Sequence, residues 1–406
     1  MFVYFWILRL AALLGHGKAR KLVRGQQRGL LELQQWVSSL KGSKVLWVHA
    51  ASVGEFEQAR PIIERYKDRG GNDKILLTFF SPSGYELRKN YKYADWVFYL
   101  PMDSPHNAEA FLDTVRPRMA IFAKYDFWYF YLTGLKKREI PAYIISAIFR
   151  EEQPFFKSWG GMWRKMLMCF TTLYVQNDES ASLLRWQGID DVVVAGDSRF
   201  DRVHDIVACA AASNPVVEKF AEGKRVMVAG STWEDDERRI VDALDELDLK
   251  LVLAPHEVYP EHIDKILGIF SKYKVVMYTQ GPSEEELAQA DVLVIDCIGL
   301  LSSLYRYGEF AYIGGGFGAG IHNILEAATY GKGVIFGPKY HKFQEAKDLL
   351  SLGSALTYSH SAELKMILRN WMEDPLLLEK VSNISKKYIE EHVGAADLFL
   401  KNTFSL

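Results

Sequence analysis

Residues 44–55 read KVLWVHAASVGE. The apolar run Val45 to Val48 stops at His49 and gives way to the small residues Ala50, Ala51, Ser52 and Gly54. Such a pattern is a buried parallel strand that turns tightly into a helix, the opening half of a βαβ unit. Ser52 is placed to cap that helix, and Glu55, three residues on, to complete a capping box. Ligands of open parallel sheets gather beyond the carboxyl ends of the strands, so Glu55 also stands where a carboxylate can take a proton from a hydroxyl. Read alone, the pattern favours the capping role.

The same rhythm continues outward. Short β-branched runs at 44–49, 75–79, 96–99, 119–123, 142–145 and 173–175 alternate with helical patterns. A second series at 226–229, 250–254, 274–278, 292–295, 310–313 and 334–336 starts afresh after a helix-like stretch at 198–221. The expected fold class is α/β, with two Rossmann-like, doubly wound parallel-sheet domains facing a cleft. A chain of 406 residues has the length for two cores. The expected division is 1–30 as a membrane-interface anchor, 31–205 and 206–375 as the two domains, and 376–406 as helices packing back towards the first.

With 49% hydrophobic and 25% charged residues the chain has a globular composition, and a net charge of −2 excludes a globally basic nucleic-acid binder. Cys169, Cys209 and Cys297 lie far apart, without the spacing of a disulfide framework or a zinc site, which suits a reducing compartment. The opening run MFVYFWILRLAALL is too short to span a bilayer and is broken by Arg9. No acid occurs before Glu32, whereas Lys18, Arg20, Lys21, Arg24 and Arg28 follow the run. The segment reads as an interfacial anchor that dips Phe2, Phe5, Trp6, Leu10 and Leu13 into lipid on the cytoplasmic side, peripheral or monotopic. A helix packed on the protein's own core is the alternative.

Two further clusters follow expected strands. Gly230-Ser231-Thr232 is a small-residue turn whose N–H groups and hydroxyls suit a phosphate. Asp235, Asp236 and Glu237 behind it read as ordinary first-turn acids. The stretch GGGFGAGIHNILE at 314–326 puts five glycines in seven positions ahead of a helix, which implies backbone close to a ligand. It is neither a Walker loop nor a dinucleotide fingerprint. Glu326 stands one turn into that helix, where it can bond a ribose or lie in solvent.

In this order the clusters resemble the Kdo (3-deoxy-D-manno-octulosonic acid) transferases of lipopolysaccharide synthesis. The resemblance runs from about residue 44 to residue 357: His49 to Glu55, Thr78 to Gly84, Tyr99 to Pro105, Arg116-Pro117, Gln176-Asn177, Gly196 to Asp201, Gly230 to Thr232, His322 to Glu326 and Phe336 to Pro338. It implies the GT-B fold, a lipid A precursor as acceptor in the first domain, and CMP-Kdo as donor in the second. It also implies inversion at the anomeric carbon and Glu55 as the base. Ser52, Gly54, Ser81, Ser83 and Trp128 would touch the acceptor. Gly230, Ser231, Thr232, His256, Gly299, Gly315, Gly316, Gly318, Gly320, Asn323 and Glu326 would touch the donor; by charge alone, Lys339 or His256 is a candidate to stabilise the departing phosphate. No cofactor or metal is implied, and the sequence holds no DxD motif.

The chain departs from the family in three places. Lys124 stands where relatives carry an acid, Pro255-His256-Glu257 lacks an arginine expected near the donor phosphate, and 296–301 has lost its usual acidic pattern. The rival expectations are a GT-B transferase using a UDP- or GDP-sugar, and a membrane-bound scaffold without turnover.

Overall fold

Strand β1 (Val45–Ala50) is buried along its whole length, because a parallel strand is covered on both faces. It lies between β2 (Lys74–Phe79) and β4 (Met119–Ala123) in a seven-stranded sheet. The outer members are β3 (Trp96–Tyr99), β5 (Ala142–Ala147), β6 (Thr172–Val175) and β7 (Val192–Val194), and the order is β3-β2-β1-β4-β5-β6-β7. Every pairing is parallel. The order reverses between β1 and β4, which is the topological switch point where such sheets bind ligands. This computed structural model describes residues 10–11, 13–39, 42–209 and 213–404. It divides into two units, residues 1–202 with 392–406, and residues 203–391.

The second unit repeats the plan with β8 (Val226–Thr232), β9 (Lys250–Pro255), β10 (Val275–Met277), β11 (Val292–Val294), β12 (Phe310–Ile313), β13 (Gly333–Phe336) and β14 (Ala355–Thr357). Their order is β10-β11-β9-β8-β12-β13-β14, again all parallel. Here the order reverses between β8 and β12. The segment 230–232, expected as a turn, ends β8 itself, and it meets the glycine loop 314–320, which follows β12, at the switch point.

Three expected boundaries move. The helix Gly17–Ser39 runs unbroken through the expected border at 30/31. Its buried residues Ala19, Leu22, Gln26, Leu33 and Trp36 recur at helical spacing and form one apolar face. Leu33 and Trp36 join the core of the first unit, and Gln26 Nε2 donates to Leu100 O at 3.0 Å. Gly25 is needed there, because a Cβ would lie 2.3 Å from the Tyr99 ring. From residue 17 on, the segment expected as an anchor is part of the first unit, while Arg20, Lys21 and Arg24 face outward. Leu10 and Leu13 are exposed; Phe2, Phe5 and Trp6 lie outside the described residues. No described helix is long and apolar enough to cross a membrane.

The segment expected to return as a whole, 376–406, divides. The helix Pro375–His392 belongs to the second core through Val381, and Ser385 Oγ donates to Lys332 O at 2.9 Å. Only Ala395–Phe404 joins the first unit, burying Ala396, Phe399 and Leu400 against β1, β4 and the helix Val53–Asp68. The buried Asp201 fastens it, accepting from Gly394 N at 3.0 Å, Ala396 N at 3.3 Å and Arg65 Nη1 at 2.8 Å. The second unit accordingly begins at residue 203 rather than 206.

Candidate active site

In the first unit the carboxyl edge of β1 is tied to both neighbours through Ala51. Its carbonyl accepts from Ser81 N at 2.7 Å, beyond β2. Its N–H donates to Asp126 Oδ2 at 2.9 Å, beyond β4. These bonds gather Ser52, Gly54, Glu55, Ser81 and Ser83 with the segment that holds Trp128, whose ring lies 5.0 Å from that of Phe80. Ser81 and Ser83 share a hydroxyl hydrogen bond of 2.7 Å. Gly84 follows because a Cβ there would come within 2.5 Å of Phe79.

Ser52 caps the helix Val53–Asp68, accepting from Gly54 N at 3.2 Å. The expected capping box does not close. The Glu55 carboxylate takes its hydrogen bond from the Ser52 hydroxyl instead of the Ser52 backbone. Glu55 is half-buried, so part of its side chain stays open to solvent.

The residue that sequence reasoning passed over is Asp126. It is 4% exposed, and burial together with the neighbouring Glu55 carboxylate pushes it well above the usual carboxylate range. The two carboxyls thus have unequal surroundings, one partly solvated and one sealed. Beneath them His49 is buried, its Nδ1 2.8 Å from Thr78 Oγ1 and its ring 5.4 Å from Trp128. Burial lowers its pKa to about 3, so the imidazole is neutral and supports the floor of the site. Thr78 also accepts from Trp47 Nε1 at 2.8 Å.

In the second unit Gly314 N donates to Gly230 O at 2.9 Å and His256 N donates to Thr232 O at 3.0 Å. These bonds bring the ends of β8, β9 and β12 together. Ser231 takes a left-handed conformation, φ 55°, where the register between β8 and β9 shifts. Thr232 is fully buried, and its hydroxyl donates to Glu237 Oε1 at 3.0 Å; it holds the turn and offers no free hydroxyl. Asp236 and Glu237, read from sequence as ordinary first-turn acids, are both buried. Asp236 accepts from Gly315 N at 2.9 Å and Tyr312 OH at 2.8 Å, while Glu237 meets His262 Nε2 at 3.1 Å. Burial raises the pKa of both acids.

The glycine loop is crowded by its own protein as much as opened for a ligand. A Cβ on Gly314 would lie 2.2 Å from Ser231 O, and one on Gly316 2.6 Å from the backbone of Gly337. Gly315 and Gly320 have positive φ, 90° and 136°, and at Gly318 alone of the set a Cβ would meet nothing closer than 3.6 Å. Lys339 Nζ is held by the carbonyls of Phe317 and Gly318 at 3.0 and 2.9 Å and braces the loop tip. Asn323 caps the next turn through Leu325 N at 3.1 Å and donates to Glu326 Oε1 at 3.0 Å. Gly299, φ 96°, stands in the loop after β11 with no atom within 4 Å of its Cβ position, just before Leu301, which packs on Gly230.

An aromatic stack absent from the sequence reading completes this edge. The rings of Trp233 and His256 lie 4.7 Å apart and those of His256 and His322 4.2 Å apart. Trp233 Nε1 donates to His322 Nε2 at 3.2 Å. Burial, with His256 alongside, lowers His322 to about 4, and burial lowers His256 as well.

A family model described as 3-Deoxy-D-manno-octulosonic-acid transferase (kdotransferase) matches residues 24–202. A 3-deoxy-D-manno-octulosonic acid transferase from Aquifex aeolicus is 29% identical over 342 residues, 80% of this chain and 86% of its own. One from Rickettsia prowazekii is 26% identical over 384 residues, 88% of this chain and 80% of its own. Among solved structures, UDP-GlcNAc 2-epimerase from Neisseria meningitidis superposes with a TM-score of 0.65 at 15% identity, covering 89% of this chain and 100% of that one. MurG from Acinetobacter baumannii does so with a TM-score of 0.56 at 12% identity, covering 89% and 100%. At such identities these two show the shared fold, GT-B.

Proposed function

Since the chain belongs to the Kdo transferase family of glycosyltransferases, we propose that it transfers Kdo from CMP-Kdo to a hydroxyl of a lipid A precursor, lipid IVA, in lipopolysaccharide synthesis. Transfer is a single displacement. Glu55 takes the proton of the acceptor hydroxyl as its oxygen bonds to the anomeric carbon, the bond from that carbon to the CMP phosphate breaks on the opposite face, and the configuration inverts. The observation that carries this reading is the Glu55 carboxylate at the end of β1, engaged by the Ser52 hydroxyl and not by the helix backbone. Ser52, Gly54, Ser81, Ser83 and Trp128 line the acceptor side.

On the donor side the backbone at Gly230 and Ser231 and the glycine loop around Gly318, whose own N–H is donated to Gly315 O at 3.0 Å, border the phosphate, and His256 of the Trp233–His256–His322 stack lies in the segment that lacks the expected arginine. Thr232, Gly315 and Gly316 act by shaping the turn and loop, and Asn323 with Glu326 meets the ribose. Gly299 gives the loop after β11 its left-handed turn. The setting is the cytoplasmic face of an inner membrane.

Glu55→Gln is expected to lower transfer from CMP-Kdo to a tetra-acylated lipid A precursor by about 10²- to 10⁴-fold, with product weighed by mass spectrometry. Stabilisation of the protein by CMP should survive the change; undiminished transfer would remove Glu55 as the base. Nucleotide preference tests the rival donors. CMP at a hundredfold excess over its Kd should stabilise the native state by about 2.7 kcal/mol, and a larger effect of UDP or GDP would point to the other sugar nucleotides.

A further inference from the structure

The first unit carries, within the stretch 157–168, three exposed apolar side chains that its core does not use. Trp159 is 68% exposed, Met162 56% and Met168 50%. Large side chains are left out of a core at a cost, and contiguous exposed apolar surface marks a contact. The loop that presents them is rigidly built. The turn Pro154–Phe156 buries Phe155 and Phe156, and Arg164 Nη1 donates to the carbonyls of Phe155 at 3.2 Å and Lys157 at 2.7 Å. Gly160 lets the loop close, since a Cβ there would lie 1.9 Å from Pro154 O. The helix Gly161–Leu167 buries Met166 and Leu167 and turns Met162 outward.

Charge within this stretch of sequence has one sign. No Asp or Glu occurs between residues 153 and 177. Lys136 is fixed to Met168 O at 2.6 Å, while Lys137, Lys157 and Lys165 have no ion pair among the described residues. Other lysines of this unit, Lys74 and Lys89 among them, are matched with acids, Asp95 at 2.7 Å and Glu86 at 2.9 Å. An outward Trp and Met ringed by unmatched lysines is complementary to one surface, apolar beneath and anionic at its face.

We propose that residues 157–168 form a second membrane-contact surface, in which Trp159, Met162 and Met168 enter the headgroup layer of an anionic bilayer and Lys137, Lys157 and Lys165 meet its phosphates. A chain of rings leads from this surface to the carboxyl edge of β4: Trp163 to Phe155 at 5.6 Å, and Phe155 to Phe127 at 4.7 Å. Phe127 sits between Asp126 and Trp128. The surface therefore adjoins the acceptor side of the reading above, on which this inference rests for its purpose, since a lipid acceptor is reached from a bilayer.

Peroxide oxidation of the full chain, read peptide by peptide in a mass spectrometer, tests it without donor or acceptor, so its failure and a failure of the transfer reading are distinguishable. Met366, 59% exposed in the second unit, is the internal control. Vesicles of phosphatidylethanolamine with phosphatidylglycerol should slow oxidation of Met162 and Met168 by about fivefold or more and leave Met366 unchanged. Lys157→Gln with Lys165→Gln should weaken partitioning onto those vesicles by about tenfold at low salt, with no change on phosphatidylcholine. Unslowed oxidation of Met162 in vesicle-bound protein would overturn the proposal, as would equal partitioning of the variant and the parent. Protection that grows with protein concentration without lipid would overturn it in favour of a second copy of the chain.

Discussion

Asp126 and His49 lie 4.0 Å apart at the end of β1, and burial acts on them with opposite signs. For Asp126 the folded-state pKa stands above that of an unfolded aspartate, about 3.9. The unfolded chain releases this proton first, so stability is lost as pH rises from about 4 until the folded carboxyl ionises too. Asp126→Asn keeps an acceptor for Ala51 N–H and abolishes the titration. Its Tm relative to the parent is expected to climb as pH is raised from 4, measured by thermal denaturation; a constant difference would show a freely ionising carboxyl. His49 works the other way. With a folded pKa of about 3 against about 6.5 unfolded, it contributes stability above pH 6.5 that is lost as pH falls towards 3. Nothing in the sequence distinguished Asp126 from Asp235, because both are acids just beyond a strand. Only the packing of Trp128 and the turn at Ala51 seals one of them while the other stays in water.

Elements were more legible than residues. Central strands such as Val45–Ala50 and Phe310–Ile313 are buried on both faces and so read as unbroken apolar runs. Val192–Val194 and Ala355–Thr357 escaped because edge strands of three residues, each exposed at one end, need too little apolar sequence to stand out. The glycine run at 314–320 was legible as a loop, yet its cause was not. The neighbours that demand Gly314 and Gly316, Ser231 and Gly337, are distant in sequence and arrive through the pairing of β8, β12 and β13. Gly316→Ala must push the backbone of Gly337 aside and is expected to cost about 1–3 kcal/mol. Gly318→Ala meets only Gly315 O at 3.6 Å and should stay within about 0.5 kcal/mol. Chemical denaturation of the two variants checks the contrast, and equal midpoints would contradict it.

Over the whole molecule, the two-unit plan followed from the restart of the strand rhythm, and a return of the chain was expected for 376–406 as a whole; that only its last helix makes it was not legible, since an amphipathic helix carries no address. Ala395–Phe404 supplies Phe399 and Leu400 to the core beneath β1, so Phe399→Ala is expected to cost the first unit about 3–5 kcal/mol. Hydrogen exchange should report it as lost protection in β1 and in the helix Val53–Asp68; unchanged protection there would count against this packing. The order of synthesis makes the same packing a matter of timing. β1 leaves the ribosome early, yet the helix that closes its core is made only after residues 203–391, which at roughly 5–20 residues per second takes on the order of 10–40 s. During that interval the nascent first unit shows an apolar hollow to the cell, and a translating chain stalled before residue 392 should be a substrate for chaperones and proteases that the released protein is not.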